Sequence, residues 1–237
     1  MGFFSYLRSS ILSKIVMAIT GAILVLYVIV HTAGNLLIYF GKDTLNSYSA
    51  FLHSLGPILW IIRVVLILSA ILHIITSIKL KFENWGAKPT KYAVKKYLKA
   101  KFSSRTMIWT GLMVLCFVVY HLLHFTFRTT NPQHYYPEFY QPHNAVSSVI
   151  LERFDVYRMV VLGFKNPLIS LVYIVGVIIV GFHLDHAIQS MFQTLGYNQK
   201  HYFPTIQKCS TGLAIIIVIC LISIPISILL GLVGGGI

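Results

Sequence analysis

Acidic side chains are scarce in this sequence: six Asp and Glu stand against 19 Lys and Arg in 237 residues, a formal charge of +13. Charge of either sign amounts to 11% of the chain, less than half of the roughly 25% that a soluble domain uses to cover its surface. With 57% apolar or aromatic residues and a mean hydropathy of +0.77, most of the chain is expected in lipid. The same hydropathy argues against nucleic acid as the partner of the positive charge. In a membrane protein an excess of Lys and Arg first reports sidedness. Cysteine is nearly absent as well. Cys116, Cys209 and Cys220 lie in or beside apolar runs and form no C-x-x-C pair, which disfavours a disulfide scaffold, a cysteine zinc site and covalent C-x-x-C-H haem attachment. Internal repeats, low-complexity tracts and a second domain are also lacking, so residues 1–237 read as a single transmembrane domain. Arg8 and Lys14 precede the first apolar run as in a signal peptide, but that run is too long and lacks a cleavage site, which makes it a first span.

What is present is five apolar segments, each long enough to cross roughly 30 Å of hydrocarbon at 1.5 Å per helical residue. They cover about 15–40, 57–78, 106–127, 167–190 and 210–237. None alternates as a barrel strand does, and an isolated strand in lipid leaves its backbone unbonded. The expected fold is therefore an all-α, five-helix membrane bundle. With a cytoplasmic N-terminus, that side holds thirteen Lys and Arg and the other side six. This predicts the N-terminus inside and the C-terminus outside. Nine of the thirteen fall in 79–105, a basic cytoplasmic loop able to meet lipid head groups or a soluble partner. The outer loop 128–166 mixes Tyr135, Tyr136, Phe139, Tyr140, Phe154 and Tyr157 with prolines, as an ordered cap on the membrane surface would.

Ten histidines in so apolar a chain are its most informative feature. An imidazole in lipid is costly and normally faces the bundle interior, where it bonds a neighbour or binds something. His31, His73, His121 and His183 fall one on each of the first four spans, and the fifth span has none. By the predicted topology His31 and His121 share an outer level, while His73 and His183 share an inner one. The levels differ by seven to nine residues, or roughly 10 to 14 Å along a helix. Two pairs at two depths suit two haems, each held by two axial imidazoles, with electron transfer as the natural role. A zinc site would want three or four ligands at one depth.

His124 and His186 lie three residues after two of these and on nearly the same face, so depth alone leaves His121 against His124, and His183 against His186, open. Gly34, Gly111, Gly176 and Gly181 would let a flat macrocycle approach the backbone, or would serve close helix packing. His134, His143 and His201 fall in loops and receive no role. Other readings of the residues are a different quinone-linked cytochrome b and, from another class, a haem-free transporter or scaffold that uses its histidines for proton relay or packing.

The run Ser13-Lys14-Ile15-Val16-Met17-Ala18-Ile19-Thr20-Gly21, with Val30-His31-Thr32-Ala33-Gly34-Asn35-Leu36 after it, resembles the opening of the cytochrome b558 membrane subunit of succinate dehydrogenase and fumarate reductase. Leu72-His73-Ile74, Tyr120-His121-Leu122-Leu123-His124-Phe125 and Phe182-His183-Leu184-Asp185-His186 resemble the later ligand helices of that dihaem, five-helix family. The resemblance implies His31, His73, His121 and His183 as ligands of two haem b groups, and it chooses between the close neighbours by analogy only. It also implies a bacterial inner-membrane location and two partners on the cytoplasmic face: a flavoprotein subunit carrying FAD and a subunit carrying iron-sulfur clusters. The chain would then be the quinone-reactive subunit, and the quinone is usually menaquinone in the dihaem class. Some members carry a glutamate two positions before the fourth ligand, implicated in proton transfer. This chain has Gly181 there.

Quinone chemistry moves protons as well as electrons, so its site needs polar or titratable groups. On the outer side Asn35, Lys42, Asp43, Asn46 and His53 are candidates, beside the plain reading of the loop residues as a solvated connection. Lys14, Arg63 and Arg105 are candidates to neutralise haem propionates, and Arg63, deepest in a span, is the best placed.

Overall fold

A computed structural model describes residues 9–87, 102–135, 137–140 and 151–236. Five of its helices are long and apolar enough to cross a membrane. They are α1 (Ser10–Leu36), α3 (Pro57–Gly86), α4 (Phe102–His121), α6 (Pro167–Thr194) and α7 (Phe203–Leu229), while two shorter ones, α2 (Lys42–Ser54) and α5 (Val156–Lys165), lie in connections. The starts follow local chemistry. The Ser9 hydroxyl accepts from the Leu12 N–H at α1. The Asn166 side chain accepts from the Leu168 and Ile169 N–H groups at α6, with Pro167 in the first turn. Such caps satisfy donors that no intrahelical carbonyl reaches. Polar side chains within the spans turn to their own backbone: Thr20 donates to the Val16 carbonyl and Thr32 to the Val28 carbonyl, each at 2.7 Å. This removes their cost in lipid. The outward faces remain apolar, as Ile58, Trp60, Ile61, Ile67 and Leu68 of α3 illustrate, all more than half exposed.

Close packing joins α6 to α7, α1 to α3, α4 to α6 and α1 to α6. The diagonal pairs, α1 with α4 and α3 with α6, are not among the closely packed ones. α7 departs from the expected span: it begins at Phe203, with Pro204 in its first turn, and ends at Leu229 although the apolar run continues. Gly231 and Gly234 turn left-handed, with φ of 72° and 75°, and a glycine in that conformation ends a helix at little cost. α4 changes character at its end. Leu122–Thr126 form a π-helical turn, in which the Phe127 N–H donates to the Leu122 carbonyl.

One end of the bundle carries a folded cap, which adds a short β-hairpin to the helices. Strands β1 (Pro137–Tyr140) and β2 (Leu151–Phe154) pair antiparallel, Pro137 opposite Phe154, and α5 follows. Residues 42–54, expected as a connection, form α2 instead, and buried polar contacts hold it to β2 and α5. Fully buried Asn46 donates to Asp155 at 3.0 Å and accepts from the Tyr157 N–H at 2.9 Å. Lys42 pairs with Asp155 at 3.0 Å, and Arg153 pairs with Asp43 at 2.7 Å while also donating to Ser47. Burial alone would push the Asp155 carboxyl up. The hydrogen bonds from Asn46 and the Arg158 N–H, with the Lys42 ammonium, together hold it below the ordinary carboxylate value.

Asn46→Ala should destabilise the cap by about 2 kcal/mol at neutral pH, because it takes one donor from a buried carboxylate and strands the Tyr157 N–H. A carboxyl whose pKa is lowered by folding contributes stability above its unfolded pKa, and that contribution disappears as pH falls through the lowered value. The gap in melting temperature between Asn46→Ala and the parent should therefore narrow in acid. Equal melting temperatures at neutral pH would show that the network adds no stability.

Candidate functional site

Helix packing determines which histidines meet. The His31 ring on α1 and the His121 ring on α4 lie with centroids 5.8 Å apart and planes at 88°. His73 on α3 and His183 on α6 lie at 6.4 Å and 73°. Each pair spans a diagonal of the bundle, between helices whose backbones do not pack closely, and all four rings are half-buried. Two axial imidazoles, each about 2 Å from a shared metal and about 1 Å from ligating nitrogen to ring centre, have centroids about 6 Å apart. Both pairs match that span. Among the described residues no group of three or more His, Cys, Asp or Glu side chains is placed to hold a metal ion.

The lower pair, named here for the end opposite the cap, has its outer ring nitrogens tied. His73 Nδ1 donates to the Met17 carbonyl at 3.3 Å. His183 Nδ1 lies 3.4 Å from the Thr110 hydroxyl, whose own proton goes to the Met107 carbonyl at 3.0 Å, so the hydroxyl oxygen accepts from the imidazole. Such bonds put the proton on Nδ1 and free Nε2 as a ligand, the usual way a metal-binding histidine is oriented. Glycines back the same rings: a Cβ at Gly21 would lie 3.3 Å from the His73 ring, and one at Gly111 would lie 3.3 Å from the His183 ring. A cleft lined by Met17, Ala18, Gly21, His73, Met107 and Ala187 opens beside this pair. The other glycines serve helix contacts, because Gly34 receives the Tyr48 ring, Gly176 the Phe117 ring and Gly181 the Val218 methyl.

The close neighbours sit elsewhere. The π-helical turn that begins at Leu122 rotates His124 away from His31 and into the wall formed by α5 and α6, where it is 2% exposed. Its ring stacks on Phe125 at 4.1 Å, and its Nδ1 is hydrogen-bonded to the Tyr173 hydroxyl at 3.0 Å. The periodicity of a regular helix gave no sign of this turn. The ring that meets His73 of α3 is that of His183, with His186 three residues further along α6. Next to it, Asp185 is bonded within the helices, accepting from Gln189 at 2.6 Å and Thr211 at 2.7 Å.

Around the upper pair, the Tyr27 ring stacks on His31 with centroids 5.4 Å apart. Arg63 lies over the Trp60 ring at 4.9 Å, close enough to Tyr27 for its charge to act on the hydroxyl. Arg63 is thus one ring removed from His31, whereas Lys14 and Arg105 are exposed. Asn35 is bonded back to the His31 carbonyl at 2.8 Å. Of the other polar candidates on this side, Lys42, Asp43 and Asn46 belong to the cap network, and His53 bonds the Ser49 carbonyl at 2.8 Å. Lys79 donates to Ser13 at 2.8 Å. The rest of the basic loop, from Lys88 to Lys101, lies outside the described residues, as do Arg8, Tyr136 and His143.

Family models, curated proteins and solved structures contain no match to this chain.

Proposed function

We propose that the chain is a dihaem cytochrome b membrane anchor of a succinate:quinone oxidoreductase, passing electrons between an iron-sulfur subunit and membrane quinone. The observation that carries this reading is the pair of cross-bundle histidine contacts, both at the spacing of two imidazoles sharing one metal. His31 and His121 would hold one haem, His73 and His183 the other. The motif runs around these four residues add the family resemblance.

Haem held by these histidines would supply one-electron transfer. The chain's own residues do the positioning. The Met17 carbonyl and the Thr110 hydroxyl orient His73 and His183 with Nε2 facing the gap between α3 and α6. Gly21 and Gly111 let those rings lie against the neighbouring helix. Arg63 brings positive charge near Tyr27, whose ring stacks on His31, and an anionic propionate there would be stabilised. This chain lacks the glutamate of the proton-transferring members: Gly181, in its place, has no side chain to carry a proton, and one turn on, Asp185 accepts from Gln189 and Thr211 through one oxygen.

In this reading the membrane is the bacterial inner membrane, the N-terminus and the basic loop face the cytoplasm, and the loop docks the flavoprotein and iron-sulfur subunits. The quinone is of the menaquinone class. Isolated from a membrane with its subunits, the chain should show a b-type alpha band in a reduced-minus-oxidised spectrum. Extracted haem should amount to two equivalents per chain, with a flavoprotein co-purifying. Assembled protein without a b-type band would refute the electron-transfer reading.

A further inference from the structure

Beside the upper histidine pair, with Tyr173 and Phe125 between His121 and His124, the capped end holds three buried nitrogens with no hydrogen-bond partner: His124 Nε2, Arg128 Nε and His134 Nδ1. Buried polar atoms are almost always bonded, so a cluster of three in one cap calls for a reason. His124 is 2% exposed, and its Nδ1 is hydrogen-bonded to the Tyr173 hydroxyl at 3.0 Å; in the tautomer in which Tyr173 donates, the ring proton sits on the orphaned Nε2. His134, in the short turn Pro132–His134, faces it with ring centroids 6.4 Å apart. Arg128 is joined to the same patch, since its guanidinium stacks on Tyr135, the residue after His134, at 3.6 Å and over Phe154 of β2 at 5.2 Å.

Two further observations separate this cluster from ordinary packing. Arg128 is the one non-glycine among the described residues with a left-handed backbone, φ 60°, a conformation that costs of order 1 kcal/mol and is kept where the surroundings demand it. Two acids of the cap, Asp43 and Asp155, are committed to Arg153 and Lys42, and the partners that Arg128 has among the described contacts are aromatic rings. A guanidinium N–H can only donate, and its positive charge beside two imidazoles repels a metal cation. An orphaned guanidinium N–H with a fixed positive charge, beside two imidazole nitrogens that can each carry a proton, matches what an oxyanion needs. The cluster straddles the end of the third apolar span, with His124 two residues before its last residue, Thr126, and Arg128 two residues after it, at the level where a chain leaving lipid meets phosphate head groups.

We infer that His124, Arg128 and His134 form a binding site for a phosphate oxyanion, from an anionic lipid head group or from free phosphate, separate from the two histidine pairs. The site is independent of what those pairs bind.

The test uses the full chain with its associated subunits, purified in detergent and stripped of lipid. Calorimetric titration with dihexanoyl phosphatidylglycerol in one arm and with inorganic phosphate in the other should show one equivalent bound in at least one arm, which identifies the source. Arg128→Gln and His134→Ala should each weaken that binding at least tenfold, while His53→Ala, at an exposed histidine of the same cap, should leave it unchanged. In the unmutated protein labelled with 15N-histidine, the bound ligand should shift the His124 Nε2 resonance, so the site remains testable if a variant does not fold.

No binding in either arm would overturn the proposal, and so would binding equally strong in both variants. Stoichiometric Zn2+ uptake lost in His134→Ala, without phosphate binding, would overturn it in favour of a two-imidazole metal site. Loss of a haem band in Arg128→Gln, with phosphate binding unaffected, would assign the arginine to the haem pocket instead.

Discussion

His73→Ala should abolish one b-type haem component and leave the other, halving the haem content of the chain. His183→Ala should remove the same component, because the two rings meet across the bundle at 6.4 Å. His31→Ala and His121→Ala should both remove the other component. His124→Ala is the discriminating control. Its ring is hydrogen-bonded to Tyr173 and set against Phe125, so its loss should cost stability and leave both components present. The pattern is read by haem extraction and low-temperature difference spectra on membranes with equal amounts of chain. If His124→Ala or His186→Ala removed a component while His121→Ala or His183→Ala kept it, the assignment of ligands would be wrong. Thr110→Val tests the support of one ligand. Removing the hydroxyl that accepts from His183 should shift the potential of the His73–His183 haem while the haem stays bound.

Gly176→Ala should destabilise the bundle by about 2 kcal/mol through overpacking. A Cβ at that position would collide with the Phe117 ring, at the contact between α4 and α6. Phe117 has little freedom to yield, since its ring packs on Tyr173 at 5.4 Å and lies 6.2 Å from His121. The displacement should therefore reach the His31–His121 pair and perturb its spectral component more than that of the His73–His183 pair. Gly212→Ala provides the comparison. A Cβ there meets nothing within 4 Å, and replacing a helix-interior glycine with alanine is favourable by about 0.5–1 kcal/mol. Thermal melting of the two variants in the same detergent should move in opposite directions, and equal shifts would contradict the packing argument.

Much of this architecture was legible in the chain because lipid imposes simple rules. Any segment crossing hydrocarbon must be long, apolar and internally bonded, so the five spans followed from hydropathy. Their ends did not, because ends depend on local backbone conformation. α7 stops at left-handed Gly231 rather than where apolarity stops. The segment 42–54 read as a polar connection because half of its polarity serves contacts made over a hundred residues away, as with Asn46 and Asp155. The glycines proved equally ambiguous in sequence. Gly111 faces a histidine while Gly34, Gly176 and Gly181 face Tyr48, Phe117 and Val218, and only the neighbouring helix distinguishes the two uses.

The sequence by itself determined the number of long apolar segments, the predominance of helix and the placement of at least one histidine on each of the first four of them. Those features depend on composition and periodicity along a single helix. Tertiary structure decided which rings meet, because facing depends on how α1, α3, α4 and α6 are rotated about their axes and on the π-helical turn after His121. That turn rotates His124 away from the diagonal gap and into the wall between α5 and α6, leaving His121 to face His31. Tertiary structure also gathered His124, Arg128 and His134 into one buried cluster, since their proximity arises where a helix end and a cap turn fold back on each other.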